Sequence, residues 1–196
     1  MLIIKICGIT NEEDARIAIE AGANALGFNF HPASPRYIDP RRAREIIRVI
    51  PGSFLKVGVF VDLSEDAVNQ TPLDVLQIHG SGRTNGHHRI WRAIQPGDPI
   101  QDPDAEAYLM DAAAEGSGGS GKTFNWKLAA GSPVPIIIAG GLDGTNVAEA
   151  IRIAQPRGVD ACSRLESSPG KKDPRRVREF VQAALEASRL PQETAP

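Results

Sequence analysis

The sequence has little of what marks specialised protein classes. It holds two cysteines in 196 residues, Cys7 and Cys162, far apart and without metal-type or disulfide-framework spacing. Two free thiols in a reduced, cytoplasmic protein are the reading this supports. No apolar run approaches the roughly 20 residues of a membrane span, so no membrane partner is expected. Lys and Arg total 22 against 24 Asp and Glu, a net charge of −2. That balance offers neither a basic face for nucleic acid nor an acidic tail. The opening MLIIKICGIT is apolar but short, and reads as a first strand rather than a signal peptide.

What is present is a repeating pattern. Hydrophobic residues make up 41%, enough for a sizeable core, and 19 Gly with 15 Pro favour many short loops. Eight β-rich apolar runs recur: 2–7, 24–30, 54–61, 74–80, 89–94, 106–111, 135–142 and 158–163. Helical patterns fall between several of them. Thr10 or Asn11 can cap a helix over 12–21 that Gly22 ends. Pro40 opens a helix to about residue 50, Ser64 caps a short one, GTNVAEAIRIAQ is amphipathic, and Asp173-Pro174 starts a last helix.

Two connections break the pattern. SGRTNGH (81–87) has no apolar stripe, and QPGDPIQDPD (95–104) holds Pro96, Pro99 and Pro103, which nearly exclude a helix interior. The expected fold is α/β, a small (β/α)8 TIM barrel with the helices after strands 4 and 5 shortened or missing. One barrel domain over 1–190 is expected, with a frayed tail at 191–196. Strands 4 to 6 would then be covered by loops, by side chains such as Trp91, or by a partner subunit; a monomer and a homodimer both remain open.

In such barrels reacting groups sit at the C-terminal strand ends. That rule selects Cys7 after strand 1, Arg36 in the loop after strand 2, His79 after strand 4, and Asp111 after strand 6. It also selects Gly140 and Gly141 after strand 7, and Asp160, Cys162 and Ser163 at strand 8. A thiol and a carboxyl across one mouth can serve as base and acid for an isomerisation. Cys7 can equally be a buried small hydrophobe, and Asp111 a cap or ion-pair residue. His79 can polarise a substrate or simply hydrogen-bond within the mouth. Glycines after strand 7 and the turn after strand 8 suit a phosphate, since backbone N–H groups can approach it closely. The segment Gly116-x4-Gly121-Lys122-Thr123 matches a bare nucleotide-loop pattern. It should directly follow a strand and open a substantial helix. NWKLAA is too short for that and is soon stopped by Gly131 and Pro133.

Seven segments in order resemble the phosphoribosylanthranilate isomerase family: KICGIT (5–10), GFNFHPASPRYI (27–38), VGVFV (57–61), LQIHG (76–80), GSGKTFNW (119–126), AGGL (139–142) and PGKKD (169–173). The resemblance implies an Amadori rearrangement of a phosphorylated small molecule in tryptophan biosynthesis, without metal or cofactor. It places Cys7 as general base, Asp111 as general acid and Arg36 on the anthranilate carboxylate. Gly140, Gly141 and the turn at Ser163 and Arg164 fall on the phosphate site. Where the family commonly reads D-V-S-S-G-V-E, this chain reads Asp160-Ala161-Cys162-Ser163-Arg164-Leu165-Glu166. Arg164 thus replaces a glycine; its N–H can still bind phosphate if the turn needs no positive φ. Two other readings stand beside this one. One is a non-catalytic phosphate-binding relic of the fold. The other is the sugar-phosphate isomerase of histidine biosynthesis, which has a carboxylate where this chain has Cys7.

Overall fold

The structure, a computed structural model, describes residues 1–80, 82, 88–112 and 123–190. Eight parallel strands close into a barrel in sequence order: β1 (Ile3–Ile6), β2 (Ala25–Asn29), β3 (Leu55–Phe60), β4 (Val75–Ile78), β5 (Arg89–Ile94), β6 (Ala105–Met110), β7 (Ile136–Ile138) and β8 (Gly158–Ala161). β8 returns to β1 with Ile3, Ile4, Lys5 and Ile6 opposite Gly158, Val159, Asp160 and Ala161. Helices α1 (Glu12–Ala21), α2 (Pro40–Val49), α3 (Glu65–Gln70), α4 (Val147–Ala154) and α5 (Pro174–Arg189) lie outside.

The helix boundaries follow local chemistry. Asn11 caps α1 through the Asp14 N–H at 2.9 Å, and Gly22 ends it at φ +107°. Asp39 and Asp173 cap helices that each begin with Pro, and Ser64 caps α3.

Alternation along the strands divides the core in two. One set of side chains, including Ile3, Ala25, Val57, Val75, Leu109 and Ile137, fills the barrel. The other, including Ile4, Ile6, Leu26, Phe28, Leu76 and Ile138, meets the helices. Trp91 belongs to the inner set and is fully buried. The expectation that it covers the outer wall is therefore corrected: it is barrel filling.

The Pro-rich connection 95–104 contains no helix. Its turn at Gly97 has φ +96°, and it folds back on the barrel wall. The Tyr108 hydroxyl accepts from the Asp102 N–H at 2.7 Å and donates to the Asp102 carbonyl at 2.8 Å. Arg92 Nε reaches the Asp102 carboxylate at 2.9 Å and its Nη1 the Gly80 carbonyl at 2.6 Å. The segment 81–87 lies, apart from Gly82, outside the described residues, as do the nucleotide-loop look-alike up to Lys122 and the tail at 191–196.

One element had no counterpart in the sequence reading. A small antiparallel hairpin, β9 (Glu166–Ser168) and β10 (Lys171–Lys172), follows a short 3-10 turn at Ser163–Leu165.

Candidate active site

Continuing the alternation past the strand ends puts Lys5, Cys7, Gln77, His79, Asp111, Asp160 and Cys162 on the inner face. At the bottom of this polar layer Lys5 Nζ meets Asp160 Oδ1 at 2.9 Å, with the lysine side chain fully buried. Burial works against the lysine's charge, but the Asp160 carboxylate outweighs it and raises its pKa. Lys5 is thus a fixed cation beneath the mouth.

Its field reaches the neighbours. Cys7 is brought down to about 7, first by a hydrogen bond from the Cys162 thiol and then by the Lys5 charge, against burial and Asp160. The partner thiol of Cys162 is pushed up by that same bond and by burial. His79 falls to about 4 through burial and the Lys5 charge, so it is neutral at pH 7. Its Nε2 lies 2.7 Å from Gln77 Nε2. Asp111 rises to about 6 through burial and the nearby Asp160 charge. Glycine makes room for these groups. A Cβ at Gly27 would stand 2.8 Å from Cys7 Sγ, and one at Gly140 2.5 Å from Asp111 Oδ1.

Arg36 enters from the loop after β2. Its Nε and Nη2 bind both oxygens of Glu166 at 3.1 and 2.8 Å. The buried Lys172 adds a third bond to Glu166 at 3.1 Å. Burial alone would raise the Glu166 pKa, but the Arg36 bond and Lys172 charge hold it below the usual carboxylate range. The sequence reading missed Lys5, Glu166 and Lys172. Pro169-Gly170 between two short polar runs was the available turn signal for the hairpin that carries the last two.

Gly140 and Gly141 turn the chain after β7 at φ +81° and +61°. With Asp111, Ala139, Ser163 and Arg164 they line a cavity of ≈ 40 Å³ that also meets Asp160 and Cys162. Arg164 sits in the 3-10 turn without positive φ, so the lost glycine leaves the backbone unstrained. Its side chain turns to Asp143, with Nε 2.6 Å from Oδ2. A larger cavity of ≈ 620 Å³ opens at the opposite end, among strand starts such as Leu55, Lys56 and Arg89. It holds none of the candidate groups.

A carboxyl, a thiol and a glycine-lined pocket at one barrel mouth suit proton transfer on a phosphorylated substrate. The family model for N-(5'-phosphoribosyl)anthranilate isomerase matches residues 4–183. The chain belongs to this family. An N-(5'-phosphoribosyl)anthranilate isomerase of Solibacter usitatus is 46% identical over 199 residues, spanning 95% of this chain and 98% of its own. The solved phosphoribosylanthranilate isomerase of Thermotoga maritima is 35% identical, with a TM-score of 0.82 over 95% of this chain and 100% of its own. A further isomerase structure is a complex with reduced 1-(o-carboxyphenylamino)-1-deoxyribulose 5-phosphate. It is 31% identical, with a TM-score of 0.77 over 95% of this chain and 100% of its own. Phosphoribosylanthranilate isomerases act in tryptophan biosynthesis, and this chain is an isomerase of that kind. Among the described residues no helix is long and apolar enough to cross a membrane.

Proposed function

We propose that this chain rearranges N-(5'-phosphoribosyl)anthranilate to 1-(2-carboxyphenylamino)-1-deoxyribulose 5-phosphate through Cys7 as general base and Asp111 as general acid. Asp111 gives its proton to the furanose ring oxygen as the C1–O bond breaks, leaving an iminium at C1. The Cys7 thiolate takes the C2 proton, and the resulting enolamine tautomerises to the ketone. The observation that carries this is the opposed tuning of the two groups. Burial keeps Asp111 protonated up to about pH 6, and Cys162 and Lys5 make Cys7 a thiolate from about pH 7.

Arg36 supports binding of the anthranilate carboxylate. Glu166 holds its Nε and Nη2, which leaves Nη1 for the ligand. The phosphate is assigned to the N–H groups of Gly140, Gly141, Ser163 and Arg164 around the small cavity. Asp160 acts through Lys5 rather than on substrate. Neutral His79 can donate only one hydrogen bond and serves to shape the mouth beside Gln77.

The test is steady-state turnover of N-(5'-phosphoribosyl)anthranilate by the purified protein and by Cys7→Ser and Asp111→Asn. Each change is expected to lower kcat by on the order of 10²–10⁴, the range of general acid–base catalysis. Near-normal turnover in Asp111→Asn would remove Asp111 from the acid role.

A further inference from the structure

The barrel closes between its first and last strands, and both cysteines of the chain lie on that seam. Ile6 stands opposite Ala161, so the next step along both strands sets Cys7 opposite Cys162. The Cys7 N–H still reaches the Ala161 carbonyl, at 2.9 Å. Neighbouring strands lie about 4.8 Å apart, inside the roughly 4.4–6.8 Å between α-carbons that a disulfide spans. Both side chains face the barrel interior, where each thiol shifts the ionisation of the other, Cys7 down and Cys162 up. Each sulfur is also packed in place. A Cβ at Gly27 would come within 2.8 Å of Cys7 Sγ, and one at Gly8 within 3.0 Å of Cys162 Sγ. Cys162 lines the cavity beside Asp111 and Gly140, which gives a small oxidant a way in.

We propose that Cys7 and Cys162 form a peroxide-sensitive switch, in which an intramolecular disulfide captures the catalytic thiol and turns the enzyme off. The chemistry balances with a hydroperoxide as the two-electron oxidant. The Cys7 thiolate attacks the terminal peroxide oxygen. The O–O bond breaks, an alkoxide or hydroxide leaves and takes up a proton, and Cys7 becomes a sulfenic acid. Cys162 loses its proton and attacks the Cys7 sulfur. The S–O bond breaks, and hydroxide leaves with that proton as water. Oxidising Cys7 removes the thiolate that opposes ionisation of Cys162, while Lys172 Nζ remains 3.7 Å from Cys162 Sγ to favour its thiolate. A dithiol reverses the bond by exchange. The inactivation rests on the reading of Cys7 as the base; the disulfide itself does not.

The experiment titrates the intact enzyme with hydrogen peroxide, blocks remaining thiols, and follows mass and turnover together. The wild type should lose two hydrogens and yield a linked pair of peptides carrying Cys7 and Cys162. Activity should fall by on the order of tenfold or more and return with dithiothreitol. In Cys162→Ser, or Cys162→Ala, Cys7 should instead advance to the sulfinic acid, and dithiothreitol should not restore that variant's starting activity. A wild type that gains two oxygens at Cys7 with no linked peptide overturns the switch. A linked peptide with turnover retained overturns the base assignment and the regulatory consequence, while the disulfide stands.

Discussion

Arg36 and Glu166, 130 residues apart, are joined by two hydrogen bonds of 3.1 and 2.8 Å, and Lys172 grips the same carboxylate. The guanidinium is therefore held in one orientation before any ligand arrives. Pre-set orientation of this kind lowers the ordering cost of binding. Arg36→Ala should raise KM far more than it lowers kcat, because a carboxylate that does not react is bound alike in ground and transition states. Glu166→Gln should raise KM in the same sense by a smaller factor, since it frees Arg36 without removing it. Steady-state kinetics showing a kcat effect larger than the KM effect in either variant would contradict this role.

The two catalytic candidates have pKa values in an unusual order, with the acid at about 6 and the base at about 7. The productive form needs Asp111 protonated and Cys7 ionised at once, so near pH 6.5 only about 6% of the enzyme holds it if the groups titrate independently. The plot of kcat/KM against pH should be a bell. Its acid limb, ending near pH 6, reports Asp111, and its alkaline limb, starting near pH 7, reports Cys7. A solvent-accessible thiol probe should show Cys7 ionising on the alkaline limb. A thiolate that forms on the acid limb would reverse the assignment.

Asp111 also carries a stability cost. Its folded pKa lies above the ordinary 3.8, at about 6. The carboxyl thus favours folding below pH 4, and that contribution is lost as pH rises through 6. By about pH 8 the loss is on the order of 3 kcal/mol. Asp111→Asn should accordingly melt higher than the wild type at pH 8 and alike at pH 4, while losing turnover. Calorimetry at the two pH values separates these outcomes; equal melting temperatures at both would show that the acid is not strained by burial.

Gly140 packs directly against Asp111. At φ +81°, with a Cβ placed 2.5 Å from Asp111 Oδ1 and 2.6 Å from the Ala112 nitrogen, alanine cannot be accommodated there without displacing the acid. Gly140→Ala should lower both stability, by about 1–3 kcal/mol, and kcat. Gly52→Ala, also at positive φ but with nothing within 4 Å, should lower stability alone. Loss of kcat in both variants would argue against a local effect on Asp111.

Much of this was legible locally. Asn11, Gly22, Pro40, Ser64 and Asp173-Pro174 act within a few residues of themselves, and the structure uses each as the sequence suggests. The strand-end rule picked Cys7, His79, Asp111 and Asp160 for one barrel mouth because position along a strand needs no long-range information. Trp91 was misplaced for a physical reason. A parallel strand covered on both sides is apolar on both faces, so its pattern does not say which face is inside. Lys5 with Asp160, and Arg36 with Glu166, are pairings across 155 and 130 residues that only barrel closure brings about. The hairpin of β9 and β10 consists of runs too short to show a period.

The seam between β1 and β8 has a consequence for synthesis. Lys5 and Asp160 are 155 residues apart, so a ribosome delivers the lysine well before its partner. Domains tend to fold as units as they emerge, yet here the first strand cannot be sealed until the last one arrives. Any nascent barrel that closed early would trap an ammonium with no counter-charge, a heavily disfavoured state. The ion pair therefore discriminates against premature closure. Translation arrested before Gly158 should leave a chain whose first strands stay open to chaperones and proteases, and release of the segment from Gly158 onward should complete the fold in one cooperative step.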